Sequence, residues 1–154
     1  MPLPAYVREK MKNPDNPLAR RAEREGLIMK RGEIVPSTRR AHEAAEYARA
    51  RGKLAPMHAA LLRRHWTEAQ DLHAFATLRG AAEDAGLDPD ELQRAVESGA
   101  FRPAVEASVR EARELGISAV PTFLFDDRLI VEGAQELPVF RRAMAELGAT
   151  RRAP

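Results

Sequence analysis

The stretch from Gly116 to Gly133, Gly-Ile-Ser-Ala-Val-Pro-Thr-Phe-Leu-Phe-Asp-Asp-Arg-Leu-Ile-Val-Glu-Gly, constrains the fold more than any other. Thr122 to Phe125 and Leu129 to Val131 are short runs rich in β-branched and aromatic residues. Asp126-Asp127-Arg128 between them supplies turn chemistry, so the pair reads as a β-hairpin. Side chains alternate along a strand, which puts Thr122 and Leu124 on one face and Phe123 and Phe125 on the other. Both runs hold three consecutive apolar residues, so the hairpin calls for cover on both faces, as in a sheet inside an α/β layer. Two strands alone make a marginal sheet. The only other strand candidates are Leu27-Ile28-Met29 and Ile34-Val35, and the rest of the chain reads as helix or turn.

At 154 residues the chain is long enough for one domain with its own core. Hydrophobic residues make up 44%, many of them alanine, which predicts closely spaced helices. Charged residues, at 31%, are mixed in sign, and the net charge is only +2. Arginines recur near glutamates at helical spacing, the pattern of a solvated face, so no nucleic-acid partner is expected. With no cysteine, these residues hold no disulfide, thiolate metal site or thiol nucleophile. No signal-peptide pattern opens the chain and no run has the length of a transmembrane helix, so a cytoplasmic protein without membrane partners is expected.

In chain order, a short helix is expected over Ala5–Met11, followed by a turn cluster at Asn13–Pro17. Asn16 then caps a helix that starts at Pro17 and stops at Gly26. Ser37 or Thr38 caps the next, with Ala41, Ala44, Ala45 and Ala48 on one stripe. Further helices are expected over Leu54–Trp66, with Met57, Leu61 and Leu62 inward and Arg63 and Arg64 outward, and over Asp71–Ala85. Asp88-Pro89-Asp90-Glu91 is a capping-box helix start. A long helix over Arg102–Leu115 stops at Gly116, and a last one runs from Leu137 to Leu147. Leu61, Leu78, Leu92, Val109, Leu115, Phe123 and Phe140 are the expected core, and residues 151–154 an expected tail.

Ser118-Ala119-Val120-Pro121-Thr122-Phe123, after a helix ending in Gly116, resembles the Gly-x-x-x-Val-Pro-Thr-Phe motif of the DsbA-like thioredoxin-fold family. Glu132-Gly133-Ala134-Gln135 and the last helix resemble that family's C-terminal ββα unit. Pro36-Ser37-Thr38 through Ala41-His42 resembles the segment opening its inserted helical domain, and Leu3-Pro4 the exit from its second strand. The nearest branch is the FrnE-like and 2-hydroxychromene-2-carboxylate isomerase-like one. The resemblance implies a mostly α chain with a small hairpin. Residues 1–115 would form the helical insertion with its connecting helices and 116–150 the ββα unit. The family's first βαβ unit, with its Cys-x-x-Cys, is not found among these residues.

The resemblance also implies a site. Pro121 would follow a cis bond, and the backbone of Val120 would pair with an extended peptide or thiol substrate beside Thr122. Catalytic residues, cofactors and metals are expected to be none. The function implied is that of a thiol–disulfide oxidoreductase homologue, redox-inactive alone. Alternatives are a glutathione-dependent isomerase-like protein and a non-catalytic peptide-binding or dimeric assembly module. Ser37 and Thr38 are placed to contact glutathione, but helix capping is the stronger reading. His42, His58, His65 and His73 are read as partly buried structural histidines, since the seven-residue spacing of His58 and His65 is too wide for a zinc pair. The open edge of the Thr122–Phe125 strand suggests a homodimer.

Overall fold

The computed structural model describes residues 17–30 and 36–149, with side chains described from residue 20 onward. The helix expected over Ala5–Met11, the Asn13–Asn16 turn and cap, the Ile34–Val35 strand and the tail at 151–154 lie outside the described residues. Seven α-helices and one hairpin are described: α1 (Pro17–Arg24), α2 (Arg39–Arg49), α3 (Leu54–Leu62), α4 (Phe75–Asp84), α5 (Pro89–Glu97), α6 (Arg102–Glu114), β1 (Thr122–Phe125), β2 (Leu129–Glu132) and α7 (Leu137–Glu146). The chain divides into two compact units, Met1–Ala107 and Ser108–Pro154.

The core of the first unit lies among α2, α3, α4 and α5. Ala41, Ala44 and Ala48 of α2 and Ala81 and Ala82 of α4 are all buried. Side chains this small let helix axes approach closely. Tyr47, Met57, Leu78 and Leu92 fill the remaining space and are almost wholly enclosed. Each of the two leucines gains about 1.5–3 kcal/mol from leaving water. Tyr47 keeps its polar end satisfied by donating to Glu91 Oε2 at 3.2 Å. Its ring meets Phe101 edge to face at 5.8 Å and carries the Arg51 guanidinium 3.6 Å above it. Burial pushes the Tyr47 phenol above its ordinary value of 10.0, against the pull of Arg51. Glu43, also buried, pairs with Arg102 at 3.6 Å, and its Oε2 has no hydrogen-bond partner.

Asp88 starts α5 as its residue type dictates. Its carboxylate accepts from the N–H groups of Asp90 and Glu91 at 2.8 and 2.9 Å, with Pro89 in the first turn. Those bonds hold the Asp88 carboxyl below its ordinary 3.8. At α2 the expected cap is not made. Thr38 stands at the N-cap in a helical conformation with no side-chain bond, because φ −89° and ψ 0° already continue the turn. Neither Ser37 nor Thr38 therefore caps the helix through its side chain.

Two other expectations are corrected. The helix from Leu54 does not run as one α-helix to Trp66, since residues Arg63–Thr67 form a π-helical turn. Arg64 is not on the wet side. Its guanidinium donates to Asp84 Oδ2 at 2.8 Å, joined by Arg63 at 2.5 Å, which anchors the turn to α4. These two guanidiniums, Arg64 first, hold the Asp84 carboxyl below its ordinary 3.8. Leu62, just before the turn, is 48% exposed rather than inward. The helix expected from Asp71 begins only at Phe75, because the Asp71 carboxylate captures the His73 N–H at 2.8 Å in a local turn.

In the second unit, β1 and β2 pair antiparallel with Phe123 opposite Val131 and Leu124 opposite Ile130. Asp126 and Asp127 take φ of +52° and +50°, the left-handed pair of a tight hairpin turn, which Arg128 closes by donating from its N–H to the Phe125 carbonyl at 3.0 Å. One face of the hairpin is closed by α7, whose Phe140 stands edge to face with Phe123 at 4.9 Å. Val131 is buried on that face. The other face, Leu124 and Ile130, is 40% and 52% exposed. The hairpin thus has cover on one side only among the described residues. Three of the expected core residues are exposed: Val109 at 45%, Leu115 at 50% and Phe123 at 39%. No side chain of α6 is fully buried; of its apolar stripe Val105 and Ala112 are half-buried and Val109 is exposed.

Candidate functional site

The Val120–Thr122 loop is set by the elements on either side of it. α6 closes at Gly116, whose φ of +72° only glycine adopts without strain, and Ile117 donates back to Ala112 at 2.9 Å. The chain then crosses Ser118 and Ala119 and enters β1. Thr122 Oγ1 donates to the Ala119 carbonyl at 2.7 Å and so staples the loop across three residues. The Gly133 N–H donates to the Pro121 carbonyl at 2.7 Å, which extends the hairpin pairing to its base. Gln135 secures that base from its side chain, donating to the Glu132 carbonyl at 2.8 Å.

Within this frame the Val120–Pro121 bond is cis. Val120 is 90% exposed, the most exposed large hydrophobic residue among those described. Among the described residues its backbone N–H and C=O make no hydrogen bond, and β1 is paired on one edge only. Val120, Pro121 and Thr122 therefore stand together, as adjacent residues of one stapled loop. An open pair of backbone groups beside an exposed apolar side chain is what an extended polypeptide needs for strand-like pairing. No charged side chain of the loop itself competes for that role.

The other candidates do not converge. His42, His58 and His73 are exposed rather than partly buried. Only His65 is half-buried, with Nδ1 3.4 Å from the Gln70 carbonyl. Among the described residues no group of three or more histidine or carboxylate side chains is placed to hold a metal ion. No helix among them is long and apolar enough to cross a membrane. Trp66, half-buried, lines a cavity that sequence reasoning did not find, and the one signal for it was the isolated apolar run Leu27-Ile28-Met29.

The sequence profile of the DSBA-like thioredoxin domain matches residues 1–145. A crystal structure of a probable DsbA oxidoreductase from Streptomyces coelicolor superposes with a TM-score of 0.77 at 30% identity over 90% of this chain. The chain spans 61% of that protein's length. The crystal structure of a provisionally assigned protein disulfide isomerase from Nitrosomonas europaea superposes at 0.72 over 95% of this chain and 76% of the other, and its 16% identity shows a shared fold alone. Among curated proteins none matches the chain.

Proposed function

From the premise that this chain belongs to the DSBA-like thioredoxin domain family, we propose that it serves thiol–disulfide exchange from the substrate side. Val120, Pro121 and Thr122 hold an extended polypeptide. The exchange itself needs an attacking thiolate and a partner sulfur, and these 154 residues contain no cysteine. The chain by itself is therefore redox-inactive. The observation that carries this reading is the backbone of Val120, open among the described residues, at the end of a strand that they pair on one edge only.

Two measurements test it. Titration calorimetry with reduced, alkylated ribonuclease as an unfolded polypeptide should give saturable binding. Val120→Pro, which deletes the N–H, should weaken that binding at least tenfold, and equal affinity in the variant would overturn the reading. In the insulin-reduction assay the purified chain should add nothing to the rate with dithiothreitol alone. Turnover above that rate would refute redox inactivity.

A second reading is supported by the bare Leu124–Ile130 face beside the same open edge. Two copies meeting there about a two-fold axis would complete a four-stranded sheet, making the chain a homodimeric assembly module. Light scattering at micromolar concentration separates the two. A mass near 17.1 kDa rules the dimer out.

A further inference from the structure

The carbonyls of Ala119, Val120 and Pro121 follow one another along the loop, and the chain satisfies the outer two itself. Thr122 Oγ1 donates to the Ala119 carbonyl at 2.7 Å, and the Gly133 N–H donates to the Pro121 carbonyl at 2.7 Å. Pro121 has no N–H to offer. Among the described residues the Val120 N–H and C=O are bonded to nothing. An open residue thus stands between two held carbonyls.

The two holds differ in kind. The one on Pro121 runs from main chain to main chain and continues the pairing of β1 and β2 past Thr122 and Glu132. It depends on no side chain. The one on Ala119 depends on a single hydroxyl. Ile117 is tied back to Ala112 at 2.9 Å, but among the described residues no other hydrogen bond reaches Ser118 or Ala119. That hydroxyl therefore sets the one peptide plane whose direction matters most. The Ala119–Val120 unit is planar and trans, so its C=O and its N–H point in opposite directions. Turning the Ala119 carbonyl toward Thr122 turns the Val120 N–H away from it, to the side that an incoming chain approaches. The hydroxyl has one proton and commits it to Ala119, so toward that chain it acts through Val120 and not as a donor of its own.

Resting on the reading of Val120 as the residue that pairs with an extended polypeptide, we propose that Thr122 is a positioning residue whose hydroxyl, by holding the Ala119 carbonyl, aims the Val120 N–H at that polypeptide. Two variants of the whole chain separate the hydroxyl from the rest of the side chain. Thr122→Val keeps the branched shape and deletes the donor, whereas Thr122→Ser keeps the donor and deletes a methyl group. Nitrogen-15 relaxation should show the order parameter of the Val120 amide falling in Thr122→Val from about 0.85 toward 0.6, with the Phe123 and Val131 amides unchanged. Calorimetric affinity for reduced, alkylated ribonuclease should weaken about three- to tenfold, the size of one net hydrogen bond. Thr122→Ser should restore both readings. If the parent chain binds and Thr122→Val binds equally well, or leaves the Val120 amide as rigid as before, the positioning role is overturned and the proposed function stands. Equal loss of order at Phe123 and Val131 also overturns it, since the hydroxyl would then be a prop of the hairpin. So does a serine variant that binds as weakly as the valine one, which would make the methyl group the contact. A parent chain that does not bind the ribonuclease overturns the proposed function, and the role of Thr122 with it.

Discussion

The two units spend their apolar residues in opposite ways. In Met1–Ala107 helices packed through alanine enclose Tyr47, Met57, Leu78 and Leu92. In Ser108–Pro154 many apolar residues are larger or β-branched, yet among the described residues only Val131 and Ala143 are buried. Both segments are amphipathic. What separates them is whether a second layer of matching shape is available to each apolar face. A helix can bury its stripe against a neighbour a few residues away, whereas a two-stranded sheet needs layers on both faces and partners on both edges. The first unit therefore holds most of the buried core, and the second leaves most of its large apolar side chains exposed.

Substitutions of apolar side chains should break this contrast open first. Leu92→Ala, at a fully enclosed site, should cost about 2–5 kcal/mol in urea denaturation. Phe123→Ala should cost about 1–2 kcal/mol, because the ring is already 39% exposed and gives up mainly its packing on Phe140. Equal losses at the two sites would show that the hairpin is as well enclosed as the helices. The next effect separates two helix starts. Asp88→Ala, which removes two N-terminal hydrogen bonds from α5, should cost about 1 kcal/mol. Thr38→Ala, at the start of α2, where no side-chain cap is made, should cost less in the same assay.

Acid should act on the helical unit through Asp84 and Asp88. Asp84 and Asp88 have folded values below 3.8, so as pH falls the unfolded chain takes up their protons first. The stability they contribute is whole above about pH 4 and is lost as pH drops through the folded values. Asp84→Asn should flatten that acid limb of the urea midpoint. Tyr47 behaves in the opposite sense. Its contribution is present below pH 10.0 and lost as pH rises through the raised folded value, and Tyr47→Phe should remove that alkaline limb. The smallest effect is expected on the bare face. Leu124→Lys should change the stability of a monomer by no more than about 0.5 kcal/mol. A larger loss that depends on protein concentration would show that a second copy covers the strand.

Local chemistry made much of this legible in the sequence. The alanine stripe of α2, the Asp88-Pro89 start, the glycine stop at Gly116 and the Asp126-Asp127 turn each depend on residues within a few positions of one another. The Val120–Thr122 loop came instead from the family resemblance, although its staple from Thr122 to Ala119 spans only three residues. What periodicity hid was decided at long range. The π-helical turn exists because Arg63 and Arg64 reach Asp84, twenty or so residues away, and no helical repeat encodes that. Val109 and Leu115 fall on a regular stripe, but a stripe tells which face is apolar and not whether anything covers it. The cavity beside Trp66 was equally hidden, since its walls come from three separate segments.

The buried carboxylate of Glu43 has a consequence of a different kind. It faces Arg102, the first residue of α6, and one of its oxygens is left without a partner. A pair with only its carboxylate buried adds little net strength, because desolvation of Glu43 cancels much of the attraction to the half-exposed Arg102, but losing Arg102 alone leaves a stranded buried charge. The pair therefore works as a lock with a single key. Any alternative packing that places an apolar residue opposite Glu43 is excluded. Exchanging both residues for apolar ones should leave the fold as stable or firmer, and should relax the discrimination that fixes where α6 begins.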